Sequence, residues 1–462
     1  MGVAGQLFAF TYDSLISVDQ KGVVQPQLAT AWQESDDSVT FTLRKGVTCS
    51  DGTALTPGIV AKNFVGLKSK TKPSGLVDTA LGGPNYTVTK KDSARTVTIK
   101  TAAPFGFLLR GAGSVPIVCA KGLANPGILA NASNGTGPFV LTGSVANDRY
   151  TLKRRNGYAW GPGGASTSAL GTPAKVVFRV IPTTSTATNL LLTNGVNVAL
   201  VSGADKNRLS GNRSVTTKLV PQGLYNLWFN QKPGHAAKDL AVRTALAQAI
   251  DPKTFTTTAG GGDTTIPTPT SLVSIDPKPC SGNTIAGNRP AYNSAAAKGA
   301  LAGKAVTMKV LYPTSQGPDF VAAMEYLSAQ WQAAGVSVEL SGIPDAGFGP
   351  ALFGGDAWDA ALLPMGVTQP SVLVGFLSGG VPPNGANFAG VSNSTYAVLS
   401  QQAIITSGSA GCKLWNAAES AVIKNVDVNP LGTYNAVLAT RGTRVSIFGG
   451  LIRATSVRML KS

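Results

Sequence analysis

The chain has 462 residues, of which 13% are charged, and its formal net charge is +17. This length is too great for one hydrophobic core and suits two large lobes. The sequence has no apolar run of about 18 residues, so it predicts no membrane-spanning helix. Its basic residues are scattered and no nucleic-acid-binding motif is present, so we expect no nucleic-acid partner. We attribute the charge to a solvated basic surface that faces an anionic cell envelope.

The first half of the chain contains alternating strands and one capped helix. Residues 8–16 (FAFTYDSLI) predict an amphipathic first element. Residues 39–43 (VTFTL) alternate between apolar and polar side chains, which predicts a strand with one buried face. Thr56 and Pro57 predict the start of a helix that continues to residue 67.

The four cysteines, Cys49, Cys119, Cys280 and Cys412, lie far apart. The chain has no C-x-x-C pair and one histidine, so we expect no metal site and no cofactor. An even number of widely spaced cysteines is typical of an exported protein with disulfides. We predict the pairs Cys49–Cys119 and Cys280–Cys412, each stabilising the fold by roughly 4 kcal/mol. The alternative is four buried free thiols in a cytosolic protein.

Residues 224–251 combine a strand, a short linker and a helix. The run LYNLWFN at 224–230 has the composition of a strand. Asp239 is the predicted N-cap of the helix, and Asp251 and Pro252 end it because a residue before proline avoids the α region. A Thr-, Pro- and Gly-rich loop follows over residues 256–279.

Residues 306–340 predict a strand, a helix and a second strand with short links. Gly335 is the predicted residue that follows the helix in a left-handed conformation. A strand–helix–strand unit of this kind is right-handed, so this half of the chain should contain a parallel sheet.

These motifs together resemble the extracytoplasmic solute-binding proteins of family 5, the dipeptide, oligopeptide and nickel receptors of ABC importers. The resemblance rests on the strand that ends in Asn230, on D-x-x-V-R-x-A-L-x-x-A-I-D at residues 239–251, on L-R-K-G-V-x-x-x-D-G-T at 43–53 and on G-T-G-P-F at 135–139. It runs from about Phe8 to about Arg453 and implies an oligopeptide-binding protein. The Ala-, Gly- and Thr-rich composition is typical of an actinobacterial sequence.

The resemblance implies an α/β, two-lobed periplasmic-binding-protein type II fold of cluster C, with mixed sheets and a hinge. Lobe I would contain residues 1–227, with an extra subdomain at about 33–155, and lobe II residues 228–433. Residues 434–462 would return to lobe I. The hinge would lie near Asn230 and Tyr434.

The resemblance also implies where the ligand binds. We expect it beside the strand that crosses between the lobes, where backbone groups could pair with an extended peptide. Trp228 could stack on the ligand, although lobe-core packing is the alternative. Arg110 and Arg441 are candidate partners for an anionic group. The predicted ligand-binding residues are Gly223, Leu224, Tyr225, Asn226, Trp228, Met365, Gly366, Tyr434 and Arg110.

Gly366 stands where peptide-binding members of the family carry an Asp that pairs with the ligand's α-ammonium. A desolvated ammonium without a carboxylate would cost several kcal/mol. Either Asp345, Asp356 or Asp359 substitutes, or the ligand has no free amine. We therefore predict capture of an oligopeptide or peptide-like molecule, with an acidic or amine-free metabolite of secondary metabolism as the alternative. Gly366→Asp should strengthen the binding of free-amine peptides.

We find no catalytic machinery in the sequence. His235 lies in a Pro- and Gly-rich linker, and there is no G-x-S-x-G motif, so we predict that the protein is not an enzyme. A hydrolase is the remote alternative.

The resemblance implies a cell-surface, extracytoplasmic monomer that docks on an ABC permease. Residues 2–6 have neither the charged nor the apolar segment of an export signal. We expect that signal to have been removed, Met1 to be an expression start and the native form to be a membrane-anchored lipoprotein.

Overall fold

The computed structural model describes residues 3–68, 76–355 and 357–460. A six-stranded central sheet and smaller sheets of two to four strands are surrounded by helices. The α-helices in these ranges are α1 (Val3–Thr11), α2 (Pro57–Leu67), α3 (Leu76–Leu81), α4 (Leu108–Gly113), α5 (Ala120–Ala124), α6 (Thr184–Leu192), α7 (Leu240–Gln248), α8 (Pro252–Ala259), α9 (Ser294–Leu301), α10 (Pro318–Ala333), α11 (Asp345–Phe353), α12 (Val374–Leu377), α13 (Ser394–Ile404) and α14 (Gly408–Lys424).

The strands of the same ranges are β1 (Ile16–Val18), β2 (Val24–Pro26), β3 (Ala29–Glu34), β4 (Ser38–Leu43), β5 (Tyr86–Lys91), β6 (Thr96–Thr101), β7 (Phe139–Val145), β8 (Arg149–Arg154), β9 (Lys175–Arg179), β10 (Val198–Val201), β11 (Thr216–Phe229), β12 (Thr307–Pro313), β13 (Ser337–Ile343), β14 (Ala360–Met365), β15 (Val428–Thr440), β16 (Thr443–Arg444), β17 (Ile447–Phe448), β18 (Leu451–Ile452) and β19 (Arg458–Met459).

The central sheet has the strand order β10-β15-β11-β14-β12-β13. The long strands β11 and β15 pair antiparallel, from Thr216 opposite Thr440 to Trp228 opposite Val428. β10 pairs with the end of β15, whereas the second half of β11 pairs with β14. The two long strands therefore connect the part of the molecule that contains β10 with the part that contains β12, β13 and β14.

Strands β12 and β13 are parallel and are joined by α10, as the sequence predicts. Gly335 follows the helix with a φ of +94°. A left-handed residue after a helix favours glycine, which has no Cβ to clash.

Side chains alternate along β11 and enter two different cores. Tyr225, Leu227 and Phe229 pack in a core with α7, α8 and α10. Leu224 and Trp228 pack in a second core with α13 and α14. Helices therefore cover both faces of the sheet around the second half of β11.

An antiparallel sheet with the order β3-β4-β6-β5 packs with α2 in a separate core near the N-terminus. Val39, Phe41 and Leu43 are buried there, which confirms the face predicted from their alternation. The Thr56 side chain accepts a hydrogen bond from the backbone N–H of Ile59 and so caps α2.

The first helix ends earlier than the sequence predicts, at Thr11 instead of near residue 16. Asp13, just after it, is fully buried and accepts hydrogen bonds from Gln27, Thr136, Tyr158 and Trp160. These donors are distant in sequence, so local periodicity could not reveal them.

The predicted loop at 256–279 also begins later than expected. Helix α7 ends at Gln248, shortly before Asp251. Asp251 instead caps α8, since its carboxylate accepts hydrogen bonds from the backbone N–H groups of Lys253 and Thr254. The helix that Pro252 begins therefore extends to Ala259.

Both predicted disulfides are present. The Cα atoms are 6.1 Å apart in Cys49–Cys119 and 5.2 Å apart in Cys280–Cys412. Separately, no helix in the described part of the chain is long and apolar enough to cross a membrane.

The predicted lobe boundaries both fall within long strands. The boundary after residue 227 lies near the end of β11, and the boundary after residue 433 lies inside β15. The division into lobes at these positions, with the extra subdomain at 33–155, stays a prediction.

Candidate functional site

A cavity of about 390 Å³ lies between two walls from different parts of the chain. We call this cavity the cleft. Its helical wall consists of β1, α3, α4 and the β17–β18 hairpin, and its loop wall consists of residues 271–281 and 366–372. The volume falls within the range of small-molecule sites, about 300–1,000 Å³.

The two segments of the loop wall are joined by hydrogen bonds. The backbone N–H groups of Ser274 and Ile275 donate to the carbonyl of Val367 at 2.9 and 3.0 Å. The backbone N–H of Val367 donates in return to the Ser274 hydroxyl at 3.0 Å. Residues 274–275 and 367 therefore form one unit.

Glu419, on α14, supports the loop wall from behind. Its carboxylate accepts hydrogen bonds from the backbone N–H of Leu272 at 2.7 Å and from the hydroxyls of Ser271 and Thr284. Burial raises the pKa of Glu419, and these donors oppose part of the rise. The buried acid thus fixes one end of the loop.

The other end of this loop is also fixed to α14. The Cys280–Cys412 disulfide joins the two covalently, and the Asn416 side chain donates to the carbonyl of Ser281 at 2.8 Å. Irregular backbone is therefore held in one position beside the cleft.

The helical wall is held by close packing of two helices. A Cβ atom on Gly111, in α4, would lie 2.3 Å from the carbonyl oxygen of Ala80 in α3. Only glycine permits this approach. Arg110 and Ser114 line the cleft from this wall, and Phe448 lines it from the β17–β18 hairpin.

Among the described residues, the cleft is lined by two charged side chains, Arg110 on the helical wall and Asp276 on the loop wall. Loss of contact with water lowers the pKa of the half-buried Arg110. Neither side chain forms an ion pair within 4.0 Å with another described residue, including each other. Their charges are available to a ligand.

Direct contacts join the two sides of the molecule around the cleft. The Gln369 side chain donates to the carbonyl of Thr79 at 2.8 Å. The rings of Phe107 and Trp415 stack with centroids 6.2 Å apart, and the backbone N–H of Gly106 donates to a carbonyl of α13. The two sides of the molecule therefore touch beside the cleft in this structure.

Two further cavities adjoin the cleft. One of about 570 Å³ shares Arg110 and Pro279 with it and is also lined by Glu34 and Lys413. Another of about 340 Å³ shares Asp276 and extends to the first half of β11. Together they would provide room for a longer ligand.

Outside the cleft, the segment after β10 contacts the part of the chain that carries the loop wall. Lys206 and Asp263 form an ion pair at 2.7 Å, and the backbone N–H of Ala204 donates to Asp319 at 2.7 Å. Burial alone would raise the pKa of Asp263, but hydrogen bonds from Lys206 and Thr265 lower it to about 2.

Several predicted ligand-binding residues lie in the cores instead of on the cleft. Leu224, Tyr225, Asn226 and Trp228 are at most 3% exposed. The Trp228 ring packs on Phe388 with centroids 5.0 Å apart. Because β14 and β15 occupy both edges of β11 here, its backbone is not open to an added peptide strand.

Gly223 lies at an irregularity in the middle of β11, and Met365 and Gly366 lie at the end of β14, beside the loop wall. A Cβ on Gly223 would lie 2.5 Å from the carbonyl oxygen of Met365, and one on Gly366 would lie 2.7 Å from the carbonyl oxygen of Gln222. Gly366→Asp would therefore displace backbone as well as add a carboxylate. The substitution cannot serve as a clean test of amine binding.

The predicted hinge residues are both engaged in packing. The Asn230 side chain is buried and donates to the carbonyl of Trp358 at 2.9 Å. Tyr434 is half-buried and its ring centroid lies 5.6 Å from that of Tyr225. The hinge role of both residues stays a prediction.

Of the acids proposed to replace the missing Asp, Asp345 and Asp359 do not line the described cavities. Asp359 accepts hydrogen bonds from His235 and the backbone of Lys309, and Asp345 accepts one from Ser315. Asp356 lies outside the described residues. Sequence reasoning missed Asp276, whose only signal was its place in the Pro-rich loop.

Of the two arginines predicted to bind an anionic group of the ligand, Arg110 lines the cleft and Arg441 does not. Arg441 instead donates to the backbone carbonyls of Leu191 and Leu192 at the end of α6. It therefore supports a helix end and is engaged away from the cleft.

Comparison with known proteins places the chain in a family. A model of bacterial extracellular solute-binding proteins, family 5, matches residues 23–372. The chain belongs to this family. Its members are receptors without enzymatic activity, so the protein is a receptor and the hydrolase alternative falls away.

The predicted fold is also confirmed by a solved structure. A substrate-binding protein from Microbacterium hydrocarbonoxydans, crystallised with 4-hydroxybenzoate hydrazide, is 27% identical, with a TM-score of 0.77. The match covers 98% of this chain and 95% of that one. The chain thus has the α/β cluster C fold with mixed sheets.

Two curated relatives match over shorter regions. Protein XP55 from Streptomyces lividans is 32% identical over 158 residues, which is 32% of this chain and 28% of that protein. The nickel-binding periplasmic protein of Escherichia coli is 28% identical over 267 residues, 54% of this chain and 48% of that one. The matches thus span less than half of each relative.

Proposed function

We propose that the protein captures an oligopeptide or peptide-like small molecule in the cleft and delivers it to an ABC importer. The observation that carries the proposal is a cavity bounded by two walls that touch at Gln369 and Thr79. A solute between such walls shifts the receptor toward the closed form if it binds that form more tightly. Rotation about β11 and β15, near Asn230 and Tyr434, would open the cleft.

The lining of the cleft supports a solute with an apolar body. Val18, Val115, Ile275, Val372 and Phe448 contribute apolar surface. The adjoining cavities of about 570 and 340 Å³ would accept the ends of a longer peptide. Burial of apolar surface would supply much of the affinity.

An acidic or amine-free metabolite is the second candidate. Gly366 offers no carboxylate for an ammonium group, and Arg110 offers a cation for an anion. The Microbacterium relative was crystallised with a small aromatic hydrazide, which shows that a related receptor accepts a non-peptide.

Mass spectrometry of the solute released on denaturation tests the proposal, followed by calorimetry with that solute. We expect a set of peptides, and a ligand at a hundred times its Kd should stabilise the fold by about 2.7 kcal/mol. A single amine-free acid would support the second candidate. If the protein retains no solute and binds none from a panel of peptides and organic acids, both candidates are wrong.

The proposal extends to the protein's surroundings. A receptor of this family would meet its permease at the cell surface as a monomer, anchored as a lipoprotein. The sequence, with its actinobacterial composition, fits an oligopeptide receptor or one tied to secondary metabolism. Labelling of intact cells that express the full gene would test the surface location.

A further inference from the structure

Two opposite charges face the cleft from opposite walls. Arg110 lies on α4, which Gly111 holds against α3, and Asp276 lies on the loop that Glu419 and the Cys280–Cys412 disulfide fix. Both positions are thus set by contacts behind the cleft. Neither charge depends on the other for its place.

Neither charge is neutralised within the described protein. The Arg110 guanidinium has no hydrogen bond or ion pair with a described residue, although the side chain is half-buried. Asp276 is exposed and also has no ion-pair partner there. A partly desolvated guanidinium gains from a carboxylate that can accept two parallel hydrogen bonds.

The surface between the two charges is mainly apolar, with Val115 on one wall and Ile275 on the other. Ile275 also packs near Gly366, where a Cβ would lie 3.3 Å from its side chain. Asp276 therefore directly follows Ile275, the residue that packs against Gly366, where peptide-binding members of the family carry the Asp.

From this arrangement, we propose that the cleft selects a zwitterionic solute with an apolar middle. Asp276 would bind its ammonium group and Arg110 its carboxylate. The inference rests on the proposed function and restricts the range of solutes, because the solute must carry both a free amine and a free carboxylic acid. Asp276 would supply the carboxylate that Gly366 lacks.

The placement also couples recognition to closure. A zwitterion can reach both charges only when the helical wall and the loop wall are together. A solute with one charge would gain from one wall alone, in the open form as in the closed one. Binding of both ends therefore favours the closed form over the open form, which is the condition for closure.

The test uses the full chain, freed of bound solute, and a random library of di- to tetrapeptides. The library is offered in free, N-acetylated and C-amidated forms, and retained peptides are measured by mass spectrometry after gel filtration. We expect the free form to be retained roughly ten- to a hundredfold better than either blocked form. Because all forms compete in one sample, this ratio does not depend on how much protein is folded.

Two variants assign the ends of the solute. Asp276→Asn should remove the preference over N-acetylated peptides and keep the preference over C-amidated ones. Arg110→Gln should do the reverse. Asp148→Asn and Arg149→Gln are the matched controls, since this exposed ion pair lies on the β7–β8 hairpin and does not line the cleft. Neither control should change either ratio.

The outcomes separate this inference from the proposed function. Equal retention of free and N-acetylated peptides would overturn the role of Asp276, and equal retention of free and amidated peptides would overturn that of Arg110. The peptide receptor would survive both results. Retention of no peptide in any form would overturn the inference together with the peptide function.

Discussion

The two walls of the cleft are held in different ways. The loop wall is irregular backbone, fixed by the Cys280–Cys412 disulfide, by Glu419 and by the bonds between Ser274 and Val367. The helical wall is regular structure, fixed by the close approach of Gly111 to Ala80. The loop wall is thus held by a disulfide and side-chain hydrogen bonds, whereas the helical wall is held by close packing that requires a residue without a side chain.

This difference separates two kinds of damage. Removing a contact from the loop wall should leave the helices folded but let the loop that carries Asp276 move. Adding a side chain to the helical wall should push α4, which carries Arg110, away from α3.

Removal of the Cys280–Cys412 disulfide by the double change to serine should have the largest effect. The free energy of unfolding should fall by about 2–5 kcal/mol. Solute affinity should also fall, by about three- to tenfold, because binding must then order the loop. Denaturant unfolding and calorimetry measure the two effects.

The Cys49–Cys119 disulfide is the matched control, since its residues do not line the cleft. Its removal should reduce stability by a similar amount and leave solute affinity unchanged. Equal losses of affinity in the two double variants would show that the disulfide acts on the whole fold and not on the loop wall.

Gly111→Ala should overpack the helical wall. The new Cβ would meet the Ala80 carbonyl at 2.3 Å, so the helices must separate, at a cost of about 1–3 kcal/mol. Gly66→Ala, in α2, is the control because no atom lies within 4 Å of its Cβ position. That change should stabilise the protein slightly through helix propensity. A Gly111→Ala protein as stable as the wild type would contradict the close-packing account.

Phe107→Leu should weaken the contact between the two sides of the molecule. Loss of the stack on Trp415 should cost the closed form about 0.5–1.5 kcal/mol, so solute affinity should fall about two- to tenfold. Phe8→Leu, which alters the contact of the exposed Phe8 ring with the buried Tyr12 ring, should not change affinity. Titration calorimetry compares them, and an unchanged Kd for Phe107→Leu would show that the stack does not contribute to closure.

Asp263→Asn should have the smallest effect, below about 1 kcal/mol, because it removes one ion pair with Lys206. The pKa of Asp263 is lowered to about 2, so its stabilising effect is present above the unfolded value of 3.8 and is lost as the pH falls toward 2. Wild type and variant should therefore differ at pH 7 and converge near pH 2. A difference that persists at pH 2 would indicate a cause other than this carboxylate.

Much of the fold could be predicted because its signals are local. The alternation in β4, the cap at Thr56 and the strand–helix–strand unit around α10 all depend on residues close in sequence. The disulfide pairing also followed from the cysteine positions. These local elements, the fold class and the family therefore agree with the prediction from the sequence.

The cleft could not be predicted in the same way. Asp276 lies on the cleft because two residues that are distant in sequence, Val367 and Glu419, hold its loop in place. Trp228 was a candidate to stack on the ligand, with core packing as the alternative, and α13 and α14 cover its face of the sheet. Periodicity shows that a face is buried and does not show whether a helix or a solute covers it.

Small-angle X-ray scattering with and without the solute that the protein retains measures whether the two walls close on a solute. We expect the solute-free protein to be more extended, and the saturated protein to match the closed structure in which Gln369 contacts Thr79. Identical scattering curves at saturation would contradict closure of the two walls on a solute.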